Sequence, residues 1–249
     1  MSPEIPKKSV GCIVPARNEA GHLITVIDHI LQIPQINEIV IVEGGSTDNT
    51  LEVASQIAAS NTSKIRVTTQ TGTGKFNAVL EGSKICKSDF LVIWDADGTI
   101  SAADSVRIIL TALESNSAAT GNRLRGHMEK GSMRFANKIG NWFFAILWIP
   151  ILKMKPIDLL CGTKIFPREV FEELPSHLIK VDPYGDFALL AGAKSVGLKI
   201  SSVTVDYDAR KYGQTNIRRW SGGLMLLLTT LRIVFWFLGN SLRRRTYEK

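Results

Sequence analysis

At 249 residues, 45% hydrophobic and 21% charged, the chain has enough apolar material for a sizeable core; this excludes a disordered protein and leaves one large domain, or a domain with an appendage. A formal charge of +7 favours an anionic partner, whether nucleic acid, lipid surface or phosphorylated substrate. Cys12, Cys86 and Cys161 are scattered through apolar or strand-like stretches without ligand spacing, so they read as reduced core thiols of a cytosolic protein, not as a disulfide framework or a zinc site.

The opening MSPEIPKKSV has no apolar run of the kind a signal peptide needs, and the working protein is expected to keep this start. Residues 9–14 form a short apolar strand. After the loop PARNEAG, Leu23, Ile24, Ile27, Ile30 and Leu31 recur at helical spacing. A second strand, 38–42, leads into EGGSTDNT and a helix over 50–59, with Asp48 or Thr50 as its N-cap. A third strand at 65–69, the loop TGTGK, a helix over 77–86 and a fourth strand at 90–94 follow. Strands alternating with helices of about ten residues predict a parallel sheet covered by helices on both faces. In such open sheets ligands collect at the carboxyl ends of the strands, where PARNE, EGGSTDNT, TGTGK and DADG would all converge.

The second half is less regular. Strands are expected at 118–121, in LCGTKIF and at 199–205, with a helix over 168–174. Two basic segments, GNRLRGHMEKGSMRFANK and DARKYGQTNIRRW, border apolar and aromatic runs too hydrophobic for a solvated nucleic-acid surface, so no nucleic acid is expected as a partner. The aromatic run from Trp142 to Leu152 suits either a buried helix or a second surface contact. Residues 222–245 are a nearly unbroken apolar stretch followed by three arginines. The stretch 224–238 is shorter than the roughly 20 residues a spanning helix needs, and it contains Arg232, which at a span's centre costs about 2.5–3.5 kcal/mol. With Thr229, Arg232 and Trp236 on one side by helical spacing, a helix lying in a membrane interface is the expectation. Arg243, Arg244 and Arg245 would then meet anionic headgroups.

Asp95 and Asp97, two residues apart where an apolar strand ends, are either a solvated strand end or an oxygen pair for a hard cation. Mg2+ and Mn2+ take one or two protein carboxylates and complete their shells with water and substrate phosphates. TGTGKFN lacks P-loop spacing and reads first as a turn into a helix. Glu43, followed by two glycines, is a carboxylate with open backbone around it.

Taken in order, VPARNE, VEGGSTDNT, GTGKFNAVLEG and WDADGT resemble the family 2 glycosyltransferases, most closely the dolichyl-phosphate and other polyprenyl-phosphate sugar synthases; the likeness is strong over about the first 100 residues and looser to about Gly223. The resemblance implies a Rossmann-like GT-A fold, α/β, with a mixed, mostly parallel sheet. That domain would span 1–221, and 222–249 would be a membrane-associated helix and basic tail. It implies nucleotide-sugar contacts from Pro15, Arg17, Glu19, Glu43, Asp48, Lys75 and Asp95, and Mg2+ or Mn2+ on Asp95 and Asp97. Gly44 replaces the second acid of the family's usual pair, which leaves the nucleotide's base open. By the same likeness Arg123 and Arg134 would hold an acceptor phosphate, with Arg125 nearby. Arg210, Lys211, Gly213, Thr215 and Asn216 resemble a segment that closes over the donor. Asp186 falls where many members place a base; capping or charge compensation of a helix is its other reading.

The expected activity is inverting transfer of a sugar from a nucleotide-diphosphate donor to a polyprenyl phosphate at the cytoplasmic face of a membrane, to which the protein is bound peripherally or monotopically. Asp97, Asp186 and Arg210 are the residues expected at the chemistry. Transfer to a sugar hydroxyl with Asp186 as base is the main alternative. A sugar nucleotidylyltransferase would need a Gly-rich first loop where PARNE stands, and a non-catalytic nucleotide-binding module would bind donor without turnover.

Overall fold

The structure, a computed structural model, describes residues 8–209 and 219–247, with side chains of the last segment from 222 to 237. Seven strands form one sheet: β1 (Val10–Ala16), β2 (Ile36–Glu43), β3 (Ile65–Thr69), β4 (Phe90–Ile93), β5 (Ala118–Asn122), β6 (Lys164–Pro167) and β7 (Ile200–Thr204), in the order β3-β2-β1-β4-β6-β5-β7. The first four run parallel, β6 runs antiparallel to both β4 and β5, and β7 is parallel to β5. The sheet is thus mixed and mostly parallel.

Between the strands lie α1 (Ala20–Leu31), α2 (Thr50–Ser60), α3 (Lys75–Ile85) and α4 (Ala102–Ser115). After β5 a 3-10 turn at Arg123–Arg125 leads to α5 (Phe135–Leu147) and α6 (Ile149–Leu152). Beyond β6 come α7 (Glu169–Glu172), α8 (Ser176–Val181) and α9 (Asp186–Ser195), and α10 (Arg219–Tyr247) follows β7.

Alternate residues of the central strands serve opposite faces. Val10, Cys12, Val14, Ile39, Ile41, Phe90 and Val92 pack under α1, α2 and α4, whereas Ile13, Val40, Val42 and Leu91 meet α3. Burial on both faces explains why β1 and β2 read as continuous apolar runs. A second cluster joins α5, α6, α9 and α10 around the fully buried Trp148, Phe166 and Phe187.

Two expectations need correction, and a third element needs detail. Helix α4 has no counterpart among the elements expected from sequence, yet Ser105, Ile108, Ile109 and Ala112 bury at helical spacing, and Ser101 Oγ accepts from Asp104 N at 3.1 Å as an N-cap. In LCGTKIF only the end is strand, because the chain turns at 159–160 and bends at 162 before it enters β6. In α10 the three residues placed on one side, Thr229, Arg232 and Trp236, meet different surroundings. Thr229 is buried, donating to Val181 O at 2.7 Å, and the Trp236 ring meets that of His177 at a tilt, 4.9 Å between centres, while Arg232 is exposed. The outward stripe is Leu224, Leu228, Leu231 and Phe235. Among the described residues no helix is long and apolar enough to cross a membrane.

Candidate active site

The parallel strands β1, β2, β3, β4, β5 and β7 all end at one edge, and the antiparallel β6 begins there. Lys164, opposite Ile93 in the ladder, therefore sits beside the carboxyl end of β4. The side chains brought to this edge come from positions 15 to 207, and those from 94 onward line a small cleft, with Trp94, Asp95, Asp97, Thr99, Arg123, Gly162, Thr163 and Tyr207 in its wall.

The first two loops are stitched together. Asn18, in the left-handed region at φ 56°, accepts from Thr47 N at 2.8 Å, and its own N–H donates to Ser46 Oγ at 3.0 Å. Thr50 Oγ1 accepts from Glu19 N at 2.9 Å, and Asp48 Oδ1 accepts from Thr50 N at 3.0 Å. Pro15 lies near the end of β1, Arg17 is exposed just after it, and Glu19 precedes α1 with a carboxylate oxygen 3.1 Å from His22 Nδ1. Glu43, buried at the end of β2, accepts from Ser46 N at 2.5 Å; burial alone would raise its pKa, but the hydrogen bonds from Ser46 and Gly45 hold it below the usual range.

Asp95 is half-buried and paired with Lys75, the first residue of α3, at 2.5 Å. Burial opposes its charge, but Lys75, Lys164 and Arg123 outweigh that and depress its pKa. For Lys75, burial likewise works against charge and is overcome by Asp95, Asp186 and Asp97, so the ammonium is held charged well above its ordinary range. Asp97 is buried, and its Oδ1 accepts from Thr99 N at 3.2 Å and Thr99 Oγ1 at 2.9 Å. Gly162 borders Asp95 so closely that a Cβ there would lie 1.5 Å from Asp95 Oδ2.

Arg123 is buried against the fully buried Asp158, donating through Nε at 2.5 Å and one terminal nitrogen at 3.0 Å, with the guanidinium 4.7 Å from the ring centre of Tyr207. Asn141 donates to the same carboxylate at 2.6 Å. Arg134 is exposed immediately before α5, and Arg125 is exposed in the 3-10 turn. Asp186 opens α9 and pairs with the buried Lys164 at 2.5 Å; Lys164 also donates to Cys161 O. Capping falls to Asp182, which accepts from Phe187 N at 2.8 Å and Ala188 N at 2.9 Å. Arg210, Lys211, Gly213, Thr215 and Asn216 lie outside the described residues.

Asn18, Asp158, Gly162 and Lys164 do not stand out in the sequence. A lysine opening the otherwise apolar KIF strand is nevertheless a readable signal for Lys164, since a fully buried lysine needs a partner.

Among the described residues no cluster of three or more His, Cys, Asp or Glu side chains could hold a metal alone. Asp95 and Asp97 nevertheless fit Mg2+ or Mn2+: both donors are oxygens, they line one polar cleft, and Gly162 leaves room for the Asp95 carboxylate itself.

The model of the family described as Glycosyl transferase family 2 matches residues 12–174. Glycosyltransferase AglJ of Haloferax volcanii is 27% identical over 92% of this chain and 73% of its own length. The dolichyl-phosphate beta-glucosyltransferase of Homo sapiens is 27% identical over 81% of this chain and 68% of its own. Among solved structures, glucosyl-3-phosphoglycerate synthase of Mycobacterium tuberculosis, in complex with Mn2+, UDP and phosphoglyceric acid, superposes with a TM-score of 0.66 at 19% identity, covering 91% of this chain and 78% of that one.

Proposed function

The chain belongs to glycosyl transferase family 2, and from that membership we propose that it moves a sugar from a nucleotide-diphosphate donor to a polyprenyl phosphate, with inversion, at the cytoplasmic surface of a membrane. The observation that carries the acceptor class is the Lys164–Asp186 pair at 2.5 Å. A sugar hydroxyl needs a general base to become a nucleophile. The carboxylate placed where such a base would stand is engaged by a buried lysine, which suits an acceptor that is already anionic. The dolichyl-phosphate relatives agree in the named acceptor.

In this reading the first two loops, through Pro15, Arg17, Glu19, Glu43 and Asp48, hold the nucleoside, and Lys75 faces the diphosphate. Asp95 and Asp97 would hold Mg2+ or Mn2+, which when bound supplies positive charge for the departing diphosphate. Thr99 keeps Asp97 in one orientation. The acceptor oxygen attacks the anomeric carbon opposite the leaving diphosphate, with Arg134 as the exposed phosphate ligand. Arg123, fixed by Asp158, contributes positive potential at the cleft, and Arg210 would help close the site.

The membrane contact rests on two helices. Helix α5 exposes Phe135, Ile139, Phe143 and Ile146, and α10 exposes Leu224, Leu228, Leu231 and Phe235, with Phe135 78% and Phe235 70% accessible. The two helices pack together, and Trp148 Nε1 at the end of α5 donates to Thr230 Oγ1 of α10 at 3.2 Å. Exposed cations Arg134, Lys153, Lys155 and Arg232 border these stripes.

The test is transfer from a panel of nucleotide sugars with Mg2+ or Mn2+, with and without a short polyprenyl phosphate. Wild type should glycosylate the lipid phosphate, Asp95→Ala/Asp97→Ala should lose about 10³-fold or more, and Asp186→Asn should stay within about tenfold. A loss of about 10²–10⁴-fold in Asp186→Asn, the contribution of a general base, together with transfer to sugar hydroxyls only, would overturn the acceptor assignment.

A further inference from the structure

The Lys75–Asp95 pair bears on how the site is loaded, an inference that rests on Asp95 and Asp97 being the ion's ligands. Lys75 Nζ lies 2.5 Å from Asp95 Oδ1, and the two side chains are 26% and 32% exposed. The ammonium therefore neutralises the carboxylate that, with Asp97, would hold the divalent ion. We propose that Lys75 occupies the cation position on Asp95 until the donor arrives and then transfers to the donor's diphosphate, so that ion and nucleotide load together and not in sequence.

Two arguments support the exchange. An ion entering alone would separate Lys75 from Asp95 and leave a half-buried ammonium beside a new double positive charge, with no new anion to receive it. A diphosphate entering with the ion brings that anion. Lysine is also the side chain suited to such an exchange, because a compact charge with three donors on a flexible stem can change partners without a fixed bidentate geometry. The starting point of the stem is fixed. Lys75 opens α3, and Phe76 N donates to Pro183 O at 3.1 Å, tying the helix start to the loop before α9. Asp186 helps to hold Lys75 charged, but in the resting site its hydrogen bond goes to Lys164 and not to this lysine.

The experiment is Mn2+ binding at one fixed pH, read from the electron paramagnetic resonance of free Mn2+, for the full chain alone and with UDP or GDP, after correction for Mn2+–nucleotide complexes formed in buffer. Wild type should bind Mn2+ at least tenfold more tightly with one of the two nucleotides than without. Lys75→Met should bind Mn2+ alone at least tenfold more tightly than wild type and lose most of the nucleotide's effect, while Lys75→Arg, which keeps the charge, should resemble wild type. Asp95→Asn should bind Mn2+ poorly in every arm. If wild type binds Mn2+ equally with and without either nucleotide, or if Lys75→Met matches wild type in nucleotide-free buffer while Asp95→Asn is defective, the exchange is overturned and the metal site stands. Unchanged Mn2+ binding in Asp95→Asn would instead overturn the metal assignment, and the exchange with it.

Discussion

Gly162 has no room for a side chain, since a Cβ would lie 1.5 Å from Asp95 Oδ2. Gly162→Ala should therefore displace Asp95, lowering kcat/KM by about 10²-fold, as roughly 1 Å misplacements do, with the circular dichroism of the fold retained. Arg123 and Asp158 make a different kind of pair, buried and bidentate. Asp158→Asn should cost about 3–5 kcal/mol in urea unfolding, because it leaves a buried guanidinium uncompensated. Burial alone would raise the Asp158 pKa, but Arg123 and Asn141 hold it below the usual carboxylate value. Its contribution is then complete above about pH 4, the unfolded value, and lost as pH falls through the lower folded value. Unfolding midpoints followed from neutral pH downward should fall more steeply for wild type than for Asp158→Asn. Asp95, Asp97, Glu43 and Asp48 are legible in sequence because each carboxylate stands at a strand end or in the loop after it. Asp158 and Gly162 are not, since their roles exist only once the chain turns back into β6 beside β4, and Lys164 shows only as a lysine out of place in an apolar stretch.

At the scale of elements, the first four strands and three helices are readable from periodicity and turn residues to within about two residues at most ends. Their faces are set by local alternation, which is what sequence shows best. Helix α4 is equally readable in principle: Ser101 stands three residues before Asp104, and Ile108, Ile109 and Ala112 keep the spacing. Ser101→Ala should lower stability by about 1 kcal/mol, the ordinary worth of such a cap, measurable by urea denaturation. The direction of β6 is another matter. Four residues cannot announce an antiparallel insertion, because parallel and antiparallel strands of that length carry the same pattern. The face of α10 is misleading in sequence for a related reason: Thr229 and Thr230 look polar but are satisfied inside the protein by Val181 O and Trp148 Nε1.

For the whole molecule, α5 and α10 pack together and each exposes an apolar stripe. Phe135→Glu/Phe143→Glu should reduce co-sedimentation with anionic vesicles at least fivefold and leave hydrolysis of a water-soluble donor within twofold of wild type. Equal sedimentation of variant and wild type would remove α5 from the contact. The strand order carries a consequence for synthesis on the ribosome. β6 follows β5 in the chain but lies between β5 and β4 in the sheet. While the polypeptide is still emerging, β1 to β4 can close on one another, whereas β5 has no place to dock until Lys164 to Pro167 have left the exit tunnel. Arg123, carried just beyond β5, must wait with it. A nascent chain stalled before β6 would thus display the first two loops and the Asp95–Asp97 pair on a formed half-sheet, yet lack the wall that completes the cleft.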